Sequence, residues 1–124
     1  MPENAGERFV AAIASRDADA LAGLLTADVD FRGLTPGRFW EGHSPDEVLD
    51  VVLGHWFEVG DRIDAVSVVE VGASVGDVHR IGYRFELTND DGPHTVEQQV
   101  YYRLAEDRLS YLRVVCSGFQ PRTH

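Results

Sequence analysis

Two pairs of polar side chains recur four residues apart in a part of the chain where apolar and polar residues alternate. His79 and Tyr83 form the first pair, and Gln98 and Tyr102 form the second. Because side chains of equal parity project from one face of a strand, each pair is expected on one face among apolar neighbours. A neutral imidazole beside phenols can transfer a proton near neutral pH, so His79, Tyr83 and Tyr102 are the candidate catalytic residues. One alternative is that His79 lies at a strand end in contact with solvent. Another is that Gln98 and Tyr102 are core residues whose polar groups form hydrogen bonds with the backbone or with water.

Further side chains are candidates for binding a substrate. Trp40 precedes a predicted helix, and an exposed indole is costly, so this residue either packs on the core or closes over a ligand. His55 follows Val48 by seven residues and shares its helical face, which could direct the imidazole to a pocket mouth; a surface or capping histidine is the alternative. Cys116 fits a small buried apolar residue. The candidate substrate-binding residues are Trp40, His55, Trp56, Phe85, Gln98 and Cys116.

Metal and redox chemistry have little support in the sequence. The histidines, at positions 43, 55, 79, 94 and 124, lack the spacing of a metal site, so neither a metal nor another cofactor is predicted. Cys116 is the only cysteine, so no internal disulfide forms, which suits a reducing cytoplasm. The first seven residues are acidic and polar, unlike a secretory signal or a transit peptide. We therefore expect a cytoplasmic protein.

Composition limits the class of protein. The 124 residues are 44% hydrophobic and 26% charged, which fits one globular domain over residues 1–124. The chain has no run of the roughly 18 apolar residues that a membrane-spanning helix needs. A formal net charge of −10 repels phosphate groups, so nucleic acids and anionic membranes are poor candidates for partners. Solubility is the simpler explanation of the acidity.

The elements that must position these side chains begin with helices. Apolar residues recur at helical spacing over residues 5–15 and again from Asp17 or Ala18 to Leu25. Residues 29–32 alternate as a short strand does. Gly33, Pro36 and Gly37 predict a loop after it, and this loop is expected to include Phe39 and Trp40 before the third helix.

A third helix has the clearest local signal. Ser44 fits an N-cap, Pro45 fits the first helical position, and Glu47 completes a capping box. Apolar residues continue through Trp56 and Phe57, and the helix is expected to end near Gly60.

The second half has the two-residue period of strands. Four runs, at about 62–71, 77–88, 94–105 and 109–119, are separated by turn-forming residues and predict antiparallel strands joined by hairpins. Helices followed by such a meander indicate an α+β fold, with three N-terminal helices packed on a strongly curved antiparallel sheet.

This order of elements resembles the cone-shaped fold of the SnoaL-like polyketide cyclases, which ketosteroid isomerases, limonene-epoxide hydrolases and nuclear transport factor proteins share. Three stretches of sequence carry the resemblance: the first two helices with their Asp-x-Asp turn, the glycine before helix three, and the closing hairpin. They are Arg8–Leu21, Glu41-Gly42 and Val100–Arg113.

The resemblance implies a pocket enclosed between the sheet and the helices. The face expected to line it is apolar and comprises Phe31, Ile81, Tyr83, Phe85, Val100, Tyr102, Leu112, Val114 and Cys116. The outer face resembles the surface on which many relatives form homodimers, and comprises Gln99, Tyr101, Arg103, Tyr111 and Arg113. A slip of one residue in register would exchange the two faces.

The catalytic groups of the best-known relatives do not transfer to this chain. In the resemblance, the tyrosine and the aspartic acid of the isomerases fall on Phe9 and Val100, and their base falls near Arg32 or Gly33. The stretches that match the epoxide hydrolases, around Arg80 and Arg113, keep arginines without aspartates, and the aspartate of the cyclases falls near Val114.

Two functions from different classes therefore remain. The first is an enzyme of cyclase, isomerase or dehydratase type that acts on a hydrophobic polyketide- or terpenoid-like molecule in an apolar pocket. The second is a non-catalytic ligand-binding or dimeric scaffold domain, which the loss of the carboxylates favours.

Overall fold

The computed structural model describes residues 4–58 and 60–121, without the side chain of Val68. The expectations for the first three residues and for His124 lie outside this part of the chain. None of the helices described there is long and apolar enough to cross a membrane.

The helices begin where the sequence supplies caps. Helix α1 (Ala5–Ala14) opens with a capping box in which Asn4 Oδ1 accepts from the N–H of Glu7 at 2.7 Å. Helix α2 (Ala18–Gly23) opens at Asp17, whose carboxylate accepts from the N–H of Ala20. Each bond satisfies a backbone donor that has no partner within the helix.

The third helix departs from its predicted length and form. Ser44 caps helix α3 (Pro45–Leu49) as expected, but the chain then winds more widely into a π-helical turn, Asp50–His55. Helical structure therefore ends at His55, and the predicted end near Gly60 is wrong. Turns of this kind are frequently found at functional sites.

In the described part of the chain the sheet comprises seven strands in the order β2-β1-β6-β5-β4-β3, with β7 paired to β5. Their bounds are β1 Leu25–Thr35, β2 Arg38–Gly42, β3 Arg62–Val71, β4 His79–Asn89, β5 Gly92–Ala105, β6 Arg108–Cys116 and β7 Gln120–Pro121. The α+β class is confirmed. The prediction of an antiparallel sheet is wrong at one junction, because β1 and β6 are parallel and the sheet is mixed. Alternation predicts which face a strand buries and carries no information on the direction of its partner.

Strand β2 was predicted as part of a loop. Pro36 and Gly37 instead form the tight turn of a hairpin, with Gly37 at a φ of 76°, as a proline–glycine turn requires. Trp40 consequently pairs with Gly33, and Phe39 with Leu34, so both aromatic residues lie in a strand.

The inner face of the sheet is the one that alternation predicts. Ile81, Phe85 and Leu112 are completely buried. Tyr101 and Val115 occupy the alternate positions of their own strands, and both are exposed. Helix α1 supplies Phe9 and Ile13 to the same core. Register shifts interrupt the β3–β4 and β5–β6 pairings, and such bulges bend a sheet, which leaves room for a cavity on this face.

Candidate functional site

A cavity of about 190 Å³ lies between the β1–β2 hairpin, the π-helical turn and strands β5 and β6. Its lining residues are Thr35, Trp40, His55, Trp56, Phe57, Val96, Gln98, Cys116, Gly118 and Phe119. The cavity thus brings together most of the side chains that the sequence suggests for substrate binding: Trp40, His55, Trp56, Gln98 and Cys116.

Two tryptophans form the aromatic wall of the cavity. Their rings meet edge to face, with centroids 6.5 Å apart. Trp40 is fixed in its strand because its Nε1 donates to Thr35 Oγ1 at 2.8 Å and the Arg38 guanidinium covers its ring at 3.6 Å. These contacts make Trp40 part of a rigid wall.

Trp56 is buried but lacks the hydrogen bond that Trp40 has. It is 8% exposed, and its Nε1 has no hydrogen-bond partner among the described residues. The benzene edge of the indole packs on Gly33, where a Cβ would lie 2.7 Å from Cζ2 of the ring. The backbone of β1 therefore holds the ring in place, and its N–H is buried without a partner among the described residues.

The π-helical turn places His55 at the cavity and pairs it with a solvent-exposed carboxylate. His55 Nε2 lies 3.2 Å from Asp50 Oδ2. In an α-helix, residues five apart point about 140° away from each other, so the wider turn is what brings this pair together. A hydrogen bond donated by Nε2–H to the carboxylate leaves Nδ1 as the basic atom of the ring. His55 also contacts Trp40, with ring centroids 5.4 Å apart.

A hydrogen-bonded chain of three residues ends at the cavity; Tyr83 and Gln98 are buried and Cys116 is partly buried. The Tyr83 hydroxyl donates to Gln98 Oε1, and Gln98 Nε2 donates to Cys116 Sγ at 3.4 Å. The backbone N–H of Gly118 donates to the same sulfur at 3.4 Å. Burial, assisted by the negative potential of Cys116, raises the pKa of Tyr83 well above its usual value. Tyr83 is therefore a neutral donor that fixes the Gln98 amide and does not line the cavity itself.

His79 and Tyr102 lie away from the cavity, near the start of α1. Their rings stack with centroids 5.2 Å apart, and His79 Nδ1 lies 3.1 Å from Ser74 Oγ. The Tyr102 hydroxyl accepts from the backbone N–H of Gly6; burial raises its pKa, and this bond opposes the rise. Equal parity puts His79 and Tyr83 on one face, but four residues of strand separate them by about 13 Å.

Phe85 lies behind the cavity wall. Its ring contacts Phe57 edge to face at 5.9 Å and Tyr83 at 5.0 Å, and it does not line the cavity. Sequence reasoning missed Asp50, Thr35 and Phe119 as members of the site. Phe57 was visible as part of an apolar helix, whereas the π-helical turn that brings Asp50 to His55 has no signal in the residue pattern.

No group of three or more His, Cys, Asp or Glu side chains in residues 4–58 and 60–121 is arranged as a metal site. The site consequently offers acid–base and hydrogen-bonding groups in an aromatic cavity.

Comparisons with known proteins establish the fold of this chain. No family model matches the chain, and no curated protein matches it in sequence. Among solved structures, a candidate isomerase from Rhodopseudomonas palustris is 21% identical with a TM-score of 0.71, and the match covers 95% of this chain and 93% of that one. An epoxide hydrolase of M. tuberculosis is 15% identical with a TM-score of 0.65, covering 91% and 80%. A candidate polyketide cyclase from Xanthomonas campestris pv. campestris is 13% identical with a TM-score of 0.67, covering 90% and 86%.

Proposed function

We propose that this chain, which has the fold of ketosteroid isomerase-like proteins and polyketide cyclases as the sequence resemblance predicted, is a small-molecule enzyme of isomerase, cyclase or dehydratase type. One observation carries the proposal: His55, which is paired with Asp50, lies on the wall of an aromatic cavity. An imidazole beside an aromatic cavity is suited to removing a proton from a bound apolar molecule.

The size of the cavity supports a substrate with a single ring. A dry cavity of about 150 Å³ in another protein holds one benzene molecule, so about 190 Å³ accommodates one substituted ring. A larger polyketide- or terpenoid-like molecule would extend past His55, whose ring is half-exposed.

In the proposed reaction, Asp50 holds the imidazole through Nε2–H and Nδ1 takes a proton from a carbon next to a carbonyl group. The carbonyl oxygen gains the negative charge of the resulting enolate. In a β,γ-unsaturated carbonyl compound the imidazolium returns the proton to the γ-carbon, which moves the double bond and completes an isomerisation. In a β-hydroxy carbonyl compound the C–O bond at the β-carbon breaks, the imidazolium gives its proton to the departing hydroxyl group, and water is released. Tyr83 acts in this scheme only through Gln98, and His79 and Tyr102 have no part in it because they do not line the cavity.

Replacing His55 with glutamine is expected to slow proton removal by about 10²–10⁴-fold, the usual contribution of a general base. The measurement is deuterium exchange next to the carbonyl group of small cyclic ketones in heavy water, followed by NMR. Asp50→Asn, which keeps the size of the side chain but removes its charge, is expected to cause a smaller loss.

A surface pair provides the matched control. His43 Nε2 lies 3.4 Å from Glu41 Oε2, and neither residue lines the cavity, so His43→Gln should leave exchange unchanged. Exchange by the wild-type protein no faster than in buffer, with ketones still bound, would contradict the enzyme and favour the second candidate, a ligand-binding domain. The apolar residues Phe9, Val100 and Val114, buried where the relatives are expected to carry functional groups, are the observation that favours this candidate.

A homodimer through the outer sheet face is also proposed. Phe39, Leu34 and Val115 are about half-exposed and adjacent across β2, β1 and β6, which forms an apolar row. Beside this row, Arg103 and Arg113 cover the Tyr111 ring at 4.7 Å and 4.0 Å. Arginine and tyrosine next to exposed apolar residues are typical of interface cores.

Sedimentation at tens of micromolar is expected to show a dimer, and Leu34→Asp is expected to convert it to a monomer because a charge would be buried in the interface. Val75 is an exposed residue between β3 and β4, so Val75→Asp is the control and should leave the dimer intact. Only monomer in the wild-type protein would rule out this interface.

A further inference from the structure

We propose that the free edge of β3, with the groove between this strand and α1, binds an extended basic segment of another protein, which adds a strand to the sheet. The partner is defined by its chemistry: alternate residues are apolar and enter the groove, and the residues between them are lysine or arginine. Among the described residues, none lines both this groove and the cavity that holds His55. The inference therefore does not depend on the proposed function.

The inner face of the sheet is left uncovered where it reaches β3. Val69 pairs with Tyr83, and Val71 pairs with Ile81. The two β4 residues are almost completely buried, whereas Val69 and Val71 are 48% and 55% exposed. In the described part of the chain, β3 is also the last strand of the sheet and pairs with β4. A long edge strand with exposed apolar residues is a template for a further strand.

Helix α1 forms the other wall of a groove beside this edge. Two hollows, of about 230 Å³ and 410 Å³, meet at Ala11 of α1 and Val66 of β3, which line both of them. The α1 residues that line the second hollow, Ala11, Ala14 and Ser15, are small, so the helix leaves space beside the strand. Side chains of an added strand alternate between the two faces of the sheet, so every second one would enter this groove.

The charge around the groove selects a basic segment. Glu7 and Asp64 are the charged residues that line it, and both are acidic. On the outer face of β3, the Glu70 side chain is 70% exposed and lies 4.0 Å from the Arg80 guanidinium, a long distance for an ion pair. Arg62, the basic residue of β3, is already paired with Asp64 at 2.7 Å. A lysine or arginine opposite Glu70 in an added strand would therefore form a favourable cross-strand pair.

A flexible segment fits this edge better than a second copy of the chain does. The β3–β4 pairing shifts between Ile63 and Ala65 and again between Val66 and Val68, and such bulges twist an edge strand. An unstructured peptide can follow the twist, whereas a second rigid sheet would match it over a few residues only. The formal net charge of −10 also favours a basic partner at this acidic edge over another acidic chain.

The test uses the full chain and a capped synthetic peptide in which valine and lysine alternate. Affinity is measured by fluorescence anisotropy of a dye on the peptide, and ¹H–¹⁵N NMR locates the binding surface. We expect the amide signals of β3 to shift and its free-edge amides to exchange more slowly with solvent, because they donate to the peptide. A peptide with glutamate at the lysine positions should bind about tenfold more weakly, and added salt should weaken binding of the lysine peptide.

Backbone methylation of the peptide tests for an added strand. In a strand, successive N–H groups point to opposite edges, so methylating every second nitrogen blocks one edge of the peptide. Methylation in one phase should abolish binding, and methylation in the other phase should leave it unchanged. Equal loss in the two phases would contradict strand addition.

Matched variants of the protein test the groove. Val69→Lys places a charge where an apolar side chain would be buried, and should weaken binding about tenfold. Val75→Lys adds the same charge at an exposed position between β3 and β4, outside the groove, and should leave binding unchanged. Glu7→Gln keeps the capping box of α1, which glutamine also forms, and should reduce both the affinity and its salt dependence.

Four results would overturn the inference: absence of binding by the lysine peptide, equal binding of the lysine and glutamate peptides, unchanged β3 amides in the complex, or equal loss in Val69→Lys and Val75→Lys. Slow exchange of the free-edge amides that increases with protein concentration, without peptide, would also overturn it and would assign the edge to a second copy. None of these results affects the proposed function, which the exchange of ketone deuterium tests separately.

Discussion

Replacing Phe85 with alanine is expected to lower the free energy of unfolding by about 3–5 kcal/mol, the usual cost of truncating a buried phenylalanine. The side chain is completely buried and contacts the Phe57 and Tyr83 rings. Its removal would leave a void directly behind the cavity wall, and close-packed neighbours fill such voids only in part.

Denaturant unfolding measures this loss, with Phe85→Leu as the milder change and Val75→Ala as the exposed control. Val75 is 80% exposed, so its truncation should alter stability by no more than about 0.5 kcal/mol. The experiment also separates the structural role of Phe85 from the ligand-binding role that the sequence suggests. A stability loss below 1 kcal/mol together with lost ligand binding would assign Phe85 to the ligand and contradict the core role.

Replacing Gly33 with alanine is expected to destabilise the protein by about 1–3 kcal/mol, as overpacking of a core does. The new Cβ would lie 2.7 Å from Trp56 Cζ2, 3.0 Å from Cη2 and 3.4 Å from Phe31 Cζ. Both neighbours are buried aromatic rings, so neither can swing aside as the end of a flexible side chain would.

Gly23→Ala is the matched control, because a Cβ at this position in α2 meets nothing within 4 Å. Alanine is the better helix former, so the control should be neutral or slightly stabilising. Because the Trp56 ring must shift in Gly33→Ala, its fluorescence should change as well. Equal stability of the two variants would show that the indole is not held by the β1 backbone.

Local signals predict much of this fold. The bounds of β3 agree with the predicted run at residues 62–71, and Ser44 caps α3 as the capping pattern indicates. These features depend on neighbours within a few residues. The parallel pairing of β1 with β6 depends on residues far apart in sequence, and nothing in the alternation of either strand specifies it.

The site is predictable to a similar degree. Trp56, Gln98 and Cys116 were identified because parity and helical spacing direct them inward, and the structure brings them together. His79 was grouped with them because parity does not specify position along a strand. Asp50 was missed because its partnership with His55 requires a π-helical turn, which follows from the packing of the whole helix and from no single residue.

The pairing of β1 with β6 also bears on how the chain folds during synthesis. Arg32 lies beside Arg113, about 80 residues later, and ribosomes add roughly 5–20 residues per second. For several seconds, therefore, the helices and the β1–β2 hairpin exist without the strand that joins them to the meander. Trp40 and the surrounding apolar side chains are exposed during that interval, so nascent chains should depend on chaperones until the closing strand emerges. Closure of a loop this long is also slow on the scale of small domains, so the late step in refolding of the free chain should be the docking of this N-terminal half.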